Sequence, residues 1–99
     1  MLVKTISVLV KDSPNLLDCE RYRLRKGIWA SIGLEPIECG SRDRGVYFVN
    51  SYANGRSEFE FNVVPGKRYD LNHSDILDAW YWDYDKHVNV SCDKVFIAE

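Results

Sequence analysis

The sequence predicts a two-layer α+β sandwich in which two helices pack on one face of a mixed, mostly antiparallel sheet. Several stretches alternate apolar and polar residues, which is typical of half-buried strands. Two other stretches have apolar residues at helical spacing, and Asn54-Gly55 is a strong signal for a tight β-hairpin. Together these three observations predict one sheet with one helical layer.

The N-terminal half contains three predicted strands. Residues 3–10 form the first, because β-branched side chains recur there at every second position. These side chains belong to Ile6, Val8 and Val10. A short strand is expected at residues 37–39, and the aromatic and β-branched residues 46–52 predict a third.

A helix is predicted between the first two of these strands. Asp12 and Ser13 are candidates for its N-cap. It is expected to end at about Ile32, because Gly33 is a typical stop and Pro36 excludes a continuation. Its buried stripe is predicted from the helical spacing of Leu17, Leu24, Ile28 and Ile32.

The hairpin at Asn54-Gly55 leads into a returning strand over residues 57–63, which alternates cleanly. The side chains predicted to face the core are Phe59, Phe61 and Val63. Those predicted to face water are Glu58, Glu60 and Asn62.

A second helix is expected over about Asp75–Tyr84, with Asn72 and Ser74 as cap candidates. Its inner face is predicted to consist of Ile76, Leu77, Trp80 and Tyr84. A final strand follows the helix and is interrupted by a turn or bulge at Asp93-Lys94. The order is therefore β-α-β-β-β-α-β, a ferredoxin-like variant with one extra strand, in a single domain over residues 1–99.

The net charge of −2 is divided unevenly along the chain. Residues 1–50 carry eight Lys and Arg against six Asp and Glu, whereas residues 51–99 carry five against nine. A protein that coats nucleic acid non-specifically would be strongly basic, and a DNA mimic would be strongly acidic. The balance excludes both classes and is compatible with steering toward a structured partner.

The three cysteines, Cys19, Cys39 and Cys92, are widely spaced, and neither histidine stands at zinc-site spacing from them. The sequence therefore predicts free thiols in a reducing cytoplasm, with no metal and no cofactor. An early charge at Lys4 and the lack of an h-region with a small-residue cleavage site predict no signal peptide. The apolar runs are too short for a membrane-spanning helix.

The second predicted helix carries the most informative side chains. On a helical wheel, Trp82 falls together with Asp75, Asp78 and Asp85. An exposed Trp commonly marks a contact surface, and carboxylates around it repel phosphate. These residues are therefore predicted to bind a protein with a basic surface, such as the nucleic-acid-binding groove of another protein. The competing interpretation is that Trp82 packs under the loop of residues 65–71.

The first predicted helix offers an alternative site. Aromatic rings beside guanidinium groups stack on bases, which indicates a domain that binds single-stranded nucleic acid. The residues in question are Arg21, Tyr22, Arg25 and Trp29. The competing interpretation is that Tyr22 and Trp29 pack at the edge of the sheet while the cations extend over them.

The most favoured function is that of a non-catalytic module that binds a protein and covers its surface. Small size, 13% aromatic residues and the lack of catalytic or phosphate-binding motifs indicate it together. Small phage or mobile-element inhibitors of host nucleases and host defence complexes have this general profile. A further alternative is a small metal-dependent nuclease with Asp12 as its carboxylate, although capping also explains this residue. The sequence leaves the oligomeric state open.

Overall fold

The computed structural model describes residues 3–11, 18–34, 46–52 and 54–98. These residues form one helix, α1, and seven strands, β1 to β7. The helix covers Asp18–Ile32. The strands, in chain order, are Thr5–Lys11, Val46–Tyr52, Arg56–Asn62, Arg68–Asp70, Ile76–Asp83, Val88–Ser91 and Val95–Ile97.

Five of the strands form an antiparallel sheet in the order β2-β3-β1-β5-β6. The central strand β1 pairs with β3 on one side, with Val8 opposite Phe59, and with β5 on the other, with Val8 opposite Ala79. Two hairpins build the flanks, one through Asn54-Gly55 and one through residues 84–87. The remaining strands, β4 and β7, form a separate two-stranded antiparallel ribbon.

The core lies between one face of the five-stranded sheet and a second layer made of α1 and the β4–β7 ribbon. Trp29 of α1 meets Phe59 of β3 edge to face, with ring centroids 6.1 Å apart. Tyr69 of the ribbon packs on Phe61, with ring centroids 5.0 Å apart. Among the residues whose side chains the structure describes, twelve apolar ones are buried in this core: Ile6, Val8, Val10, Ile28, Trp29, Ile32, Phe59, Phe61, Tyr69, Leu71, Ala79 and Ala98.

The prediction of a ferredoxin-like layer of two helices is wrong. Residues 76–83 form strand β5 in place of the second helix, so the order within the described residues is β-α-β-β-β-β-β-β. Trp and Tyr favour strands, and β5 gains ladder hydrogen bonds to both β1 and β6. The mixed α+β character holds, but the strand pairs described here are all antiparallel.

The end of the helix follows the prediction. Gly33 has a φ of +102°. Its N–H donates to the carbonyl of Ala30, and the N–H of Leu34 donates to that of Trp29. This pair of bonds is a Schellman motif, which needs a left-handed residue after the helix and therefore favours glycine. The predicted N-cap residues Asp12 and Ser13 lie outside the described residues.

Strands β1, β2 and β3 are confirmed almost to the residue. In β3, Phe59 and Phe61 are buried while Glu58 and Glu60 lie on the opposite face, as the alternation predicts. The final strand is split in two: β6 joins the large sheet, and β7 leaves it after Asp93-Lys94 to pair with the unpredicted β4. The strand expected at residues 37–39 lies outside the described residues.

Candidate binding face of the sheet

The face of the five-stranded sheet that points away from α1 carries the candidate site, and we call it the outer face. Because directly paired residues share a face, the register assigns its members. They are Thr5, Ser7, Leu9, Lys11, Arg56, Glu58, Glu60, Asn62, Asp78, Trp80, Trp82, Asn89 and Ser91. The described helix and the β4–β7 ribbon pack on the other face, so neither covers this one.

Two tryptophans dominate the outer face. Trp80 lies between Ser7 of β1 and Ser91 of β6, and Glu60 lies beyond Ser7 in the same row. Trp82 follows two residues later, opposite Asn89, and its side chain is 41% exposed. Both indoles thus have small or polar cross-strand neighbours, which leaves apolar aromatic surface accessible to a partner.

The next row of the outer face is acidic. Leu9 lies between Glu58 of β3 and Asp78 of β5. Oδ1 of Asp78 accepts a hydrogen bond from the backbone N–H of Ala79 at 2.9 Å, and this aspartate is exposed. The cations Lys11 and Arg56 face each other in the following row of the β1–β3 pair, beside the acidic row and four residues along β1 from the row of Trp80.

The predicted partner-binding residues do not form the single helical face on which their grouping was based. Asp78 and Trp82 share the outer face of β5, about 13 Å apart along the strand. Asp75 precedes β5 and is half-buried, whereas Asp85 is exposed in the turn after it. The exposure of Trp82 excludes its burial under the loop of residues 65–71, but it arises from strand alternation rather than from a helical wheel.

A β-bulge decides which residues of β5 reach the outer face. Val10 pairs with Ile76 and Leu9 pairs with Asp78, so Leu77 is an extra residue on β5. Such a bulge shifts the alternation by one residue. The shift puts Trp80 on the outer face, although the helical prediction placed it inside. Trp80 is thus the site residue that the sequence reasoning missed.

The alternative site on the first helix is partly buried. Trp29 is only 3% exposed, because its ring packs against Phe59 in the core. Arg25 is half-buried on the same helix. The side chains of Arg21 and Tyr22 lie outside the described part of the structure. Trp29 therefore presents no ring face on which a base stacks.

Both histidines lie in turns of the chain. The backbone N–H of Asp75 donates to Nδ1 of His73 at 3.0 Å, and the N–H of Ile76 donates to the His73 carbonyl. Nδ1 of His73 also lies 4.0 Å from Oδ2 of Asp75. His87 is in a left-handed conformation, with a φ of 57°, at the end of the β5–β6 turn.

Asp83 is a buried carboxylate at the end of β5. Its Oδ1 accepts hydrogen bonds from the backbone N–H groups of Asp85 and Lys86, at 2.9 Å and 3.1 Å. The carbonyl of Asp83 accepts a third bond from the N–H of His87. The carboxylate therefore holds the turn that connects β5 to β6.

Cys92 is a half-buried free cysteine just after β6. Burial raises the pKa of its thiol to about 11, and the carboxylates of Asp93 and Asp78 add to the shift. Such a thiol is inert at neutral pH, because the thiolate is the reactive form. In the part of the chain that the structure describes, no three His, Cys, Asp or Glu side chains lie close enough together to hold a metal ion.

Asp12, the carboxylate of the nuclease hypothesis, lies outside the described residues. The described helix α1 is neither long nor apolar enough to cross a membrane. Comparison of the chain with protein-family models, with curated proteins and with solved structures finds no match.

Proposed function

We propose that this protein is a small non-catalytic module that binds a protein partner through the outer face and acts by covering the partner's surface. The observation that carries the proposal is a sheet face that no described element covers and that bears the exposed Trp82 together with Trp80 and its neighbouring carboxylate, Asp78. Buried aromatic anchors supply much of the energy of protein interfaces, and Trp is enriched among them.

The charge of this face favours a basic partner. Three carboxylates, of Glu58, Glu60 and Asp78, lie in the two adjacent rows that hold Leu9 and Trp80, against the two cations Lys11 and Arg56 in the next row. Carboxylates in this arrangement repel the phosphates of a nucleic acid and attract Lys and Arg on a protein surface. The same charge argues against binding of nucleic acid to the sheet. The burial of Trp29 argues against the alternative nucleic-acid site on α1.

Grooves that bind nucleic acid are positively charged, which is the charge that the carboxylates of the outer face attract. We therefore extend the proposal to an inhibitor, of phage or mobile-element origin, that occupies such a groove on a host nuclease or host defence complex. An odd number of cysteines, with Cys92 free, suits action in the reducing cytoplasm.

The test compares variants in affinity capture from the native lysate after nuclease treatment. The double variant Trp82→Ala with Asp78→Lys removes the exposed ring and reverses a charge on the outer face. The matched control, Ile97→Ala with Asp70→Lys, makes the same two kinds of change on the outward side of the β4–β7 ribbon, where Ile97 is 65% exposed.

We expect the wild type and the control to capture the same stoichiometric protein, and the outer-face variant to lose it. Thermal unfolding of each variant shows whether it is folded. Equal capture by folded outer-face and control variants would contradict the proposal. Capture of nucleic acid alone, lost on nuclease treatment, would favour the alternative of a single-stranded nucleic-acid-binding domain.

A further inference from the structure

One carboxylate and two indoles follow one another at every second position of β5 on the outer face. These are Asp78, Trp80 and Trp82. Side chains two residues apart in a strand lie about 7 Å apart on the same face. A flat cation that stacks on the indole of Trp80 is therefore within reach of the carboxylate of Asp78.

The surroundings of Trp80 leave room for such stacking. Its cross-strand neighbours are serines on both sides, Ser7 and Ser91. Serine is too short to cover an indole ring, so neither cross-strand neighbour closes off the aromatic face. The indole is also half-buried, which holds the ring in a fixed orientation.

Asp78 offers a matching acceptor. Its Oδ1 accepts one bond, from the N–H of Ala79, and within the described part of the chain its Oδ2 accepts none. A carboxylate with an open oxygen accepts the N–H groups of a guanidinium, which presents them in a rigid planar fork. Glu60 adds a second negative charge in the row of Trp80.

On the basis of the function proposed above, we infer that the outer face is an arginine-binding site, at which a partner's guanidinium stacks on Trp80 and pairs with Asp78. The guanidinium is planar and weakly hydrated, so it stacks on an aromatic face while it donates hydrogen bonds in its own plane. The ammonium of lysine is a compact, strongly hydrated charge and gains less from the indole. The face therefore distinguishes arginine from lysine at equal charge.

The test is a titration of the whole protein with oligo-arginine and oligo-lysine peptides of equal length, followed by tryptophan fluorescence and calorimetry. We expect the arginine peptide to bind about fivefold more tightly than the lysine peptide, as stacking on Trp adds to the charge attraction. Trp80→Leu is expected to bring the ratio close to one. Asp78→Asn is expected to weaken the binding of both peptides. Ile97→Ala, on the ribbon, is expected to leave the binding of both unchanged.

The outcomes separate this inference from the proposed function. Equal binding of both peptides, still sensitive to Asp78→Asn, overturns the preference for arginine and leaves a docking face for a basic protein in place. A preference that persists in folded Trp80→Leu also overturns the inference, because the selectivity then has another origin. If neither peptide binds, the attraction of this face for basic partners is itself contradicted.

Discussion

Trp29 of α1 and Phe59 of β3 meet edge to face in the core, with ring centroids 6.1 Å apart. This contact fixes one of the three tryptophans of the chain inside the protein. The other two, Trp80 and Trp82, lie on the opposite face of the same sheet. The tryptophans thus divide into one that stabilises the fold and two that are available to a partner.

This division predicts that two alanine substitutions lower the stability by very different amounts. Trp29→Ala should lower the free energy of unfolding by about 3–5 kcal/mol, because it leaves a cavity between α1 and the sheet. Trp82→Ala should lower it by less than about 1 kcal/mol, because the side chain is already exposed. Urea denaturation measures both values. Similar losses in the two variants would show that Trp82 is a core residue.

The β5–β6 turn depends on Asp83. Asp83→Ala should cost about 1–3 kcal/mol of stability, because the backbone N–H groups of Asp85 and Lys86 lose their acceptor. Asp83→Asn retains an acceptor oxygen and should restore most of the loss. Thermal unfolding followed by circular dichroism measures the difference, with the exposed Asp85→Ala as control. An equal loss in the alanine and asparagine variants would contradict this role.

His87 is the one described residue other than glycine with a positive φ. A side chain in the left-handed region costs free energy that glycine avoids. His87→Gly should therefore raise the stability by about 0.5–1 kcal/mol, measured as an increase in the thermal midpoint. As a control, Asn89→Gly in the neighbouring strand β6 should lower it, since glycine weakens a strand. A lower thermal midpoint for the His87→Gly variant would show that the left-handed backbone at His87 costs no free energy.

Cys92 should react slowly with alkylating reagents. Burial raises the pKa of its thiol from 9.0 to about 11, so at about pH 8 the folded chain holds roughly a hundredfold less thiolate at this position than the unfolded chain. Iodoacetamide labelling with peptide mass spectrometry measures the rate for Cys92 separately from Cys19 and Cys39. Equal rates in native buffer and in urea would contradict a buried thiol.

The same shift gives stability a pH dependence. The unfolded chain releases the Cys92 proton at a lower pH than the folded chain does. Stability from this group is therefore intact below about pH 9 and decreases as the pH rises toward the folded pKa of about 11. Cys92→Ala should remove this part of the decrease, and an unchanged alkaline profile would contradict the assignment.

Local patterns predicted the elements whose periodicity is unbroken. The buried alternation of β1, the Asn54-Gly55 hairpin and the Schellman stop at Gly33 all depend on residues close in the sequence. The sequence predicts a helix at the position of strand β5, because the extra residue Leu77 breaks the alternation of the strand at the bulge. Its short aromatic stretch is also compatible with a helix by local pattern. The strand forms because the stretch pairs with β1, which is a distant segment of the chain.

The candidate site was predicted in part. The exposure of Trp82 and the carboxylate of Asp78 emerged from the sequence, although from the wrong periodicity. The row of Ser91, Trp80 and Ser7 could not be predicted, because the register of three strands must be known to place these residues side by side. Such a register is set by long-range packing and by the bulge, which no local pattern specifies.

The most direct test of the central claim is fluorine NMR of the protein labelled with fluorotryptophan, free and bound to its captured partner. The three tryptophans give three resonances, which single substitutions assign. We expect the resonances of Trp80 and Trp82 to shift on binding while that of Trp29, buried under the sheet, stays in place. Binding that leaves the resonances of Trp80 and Trp82 unchanged would show that the partner docks elsewhere and would contradict the account.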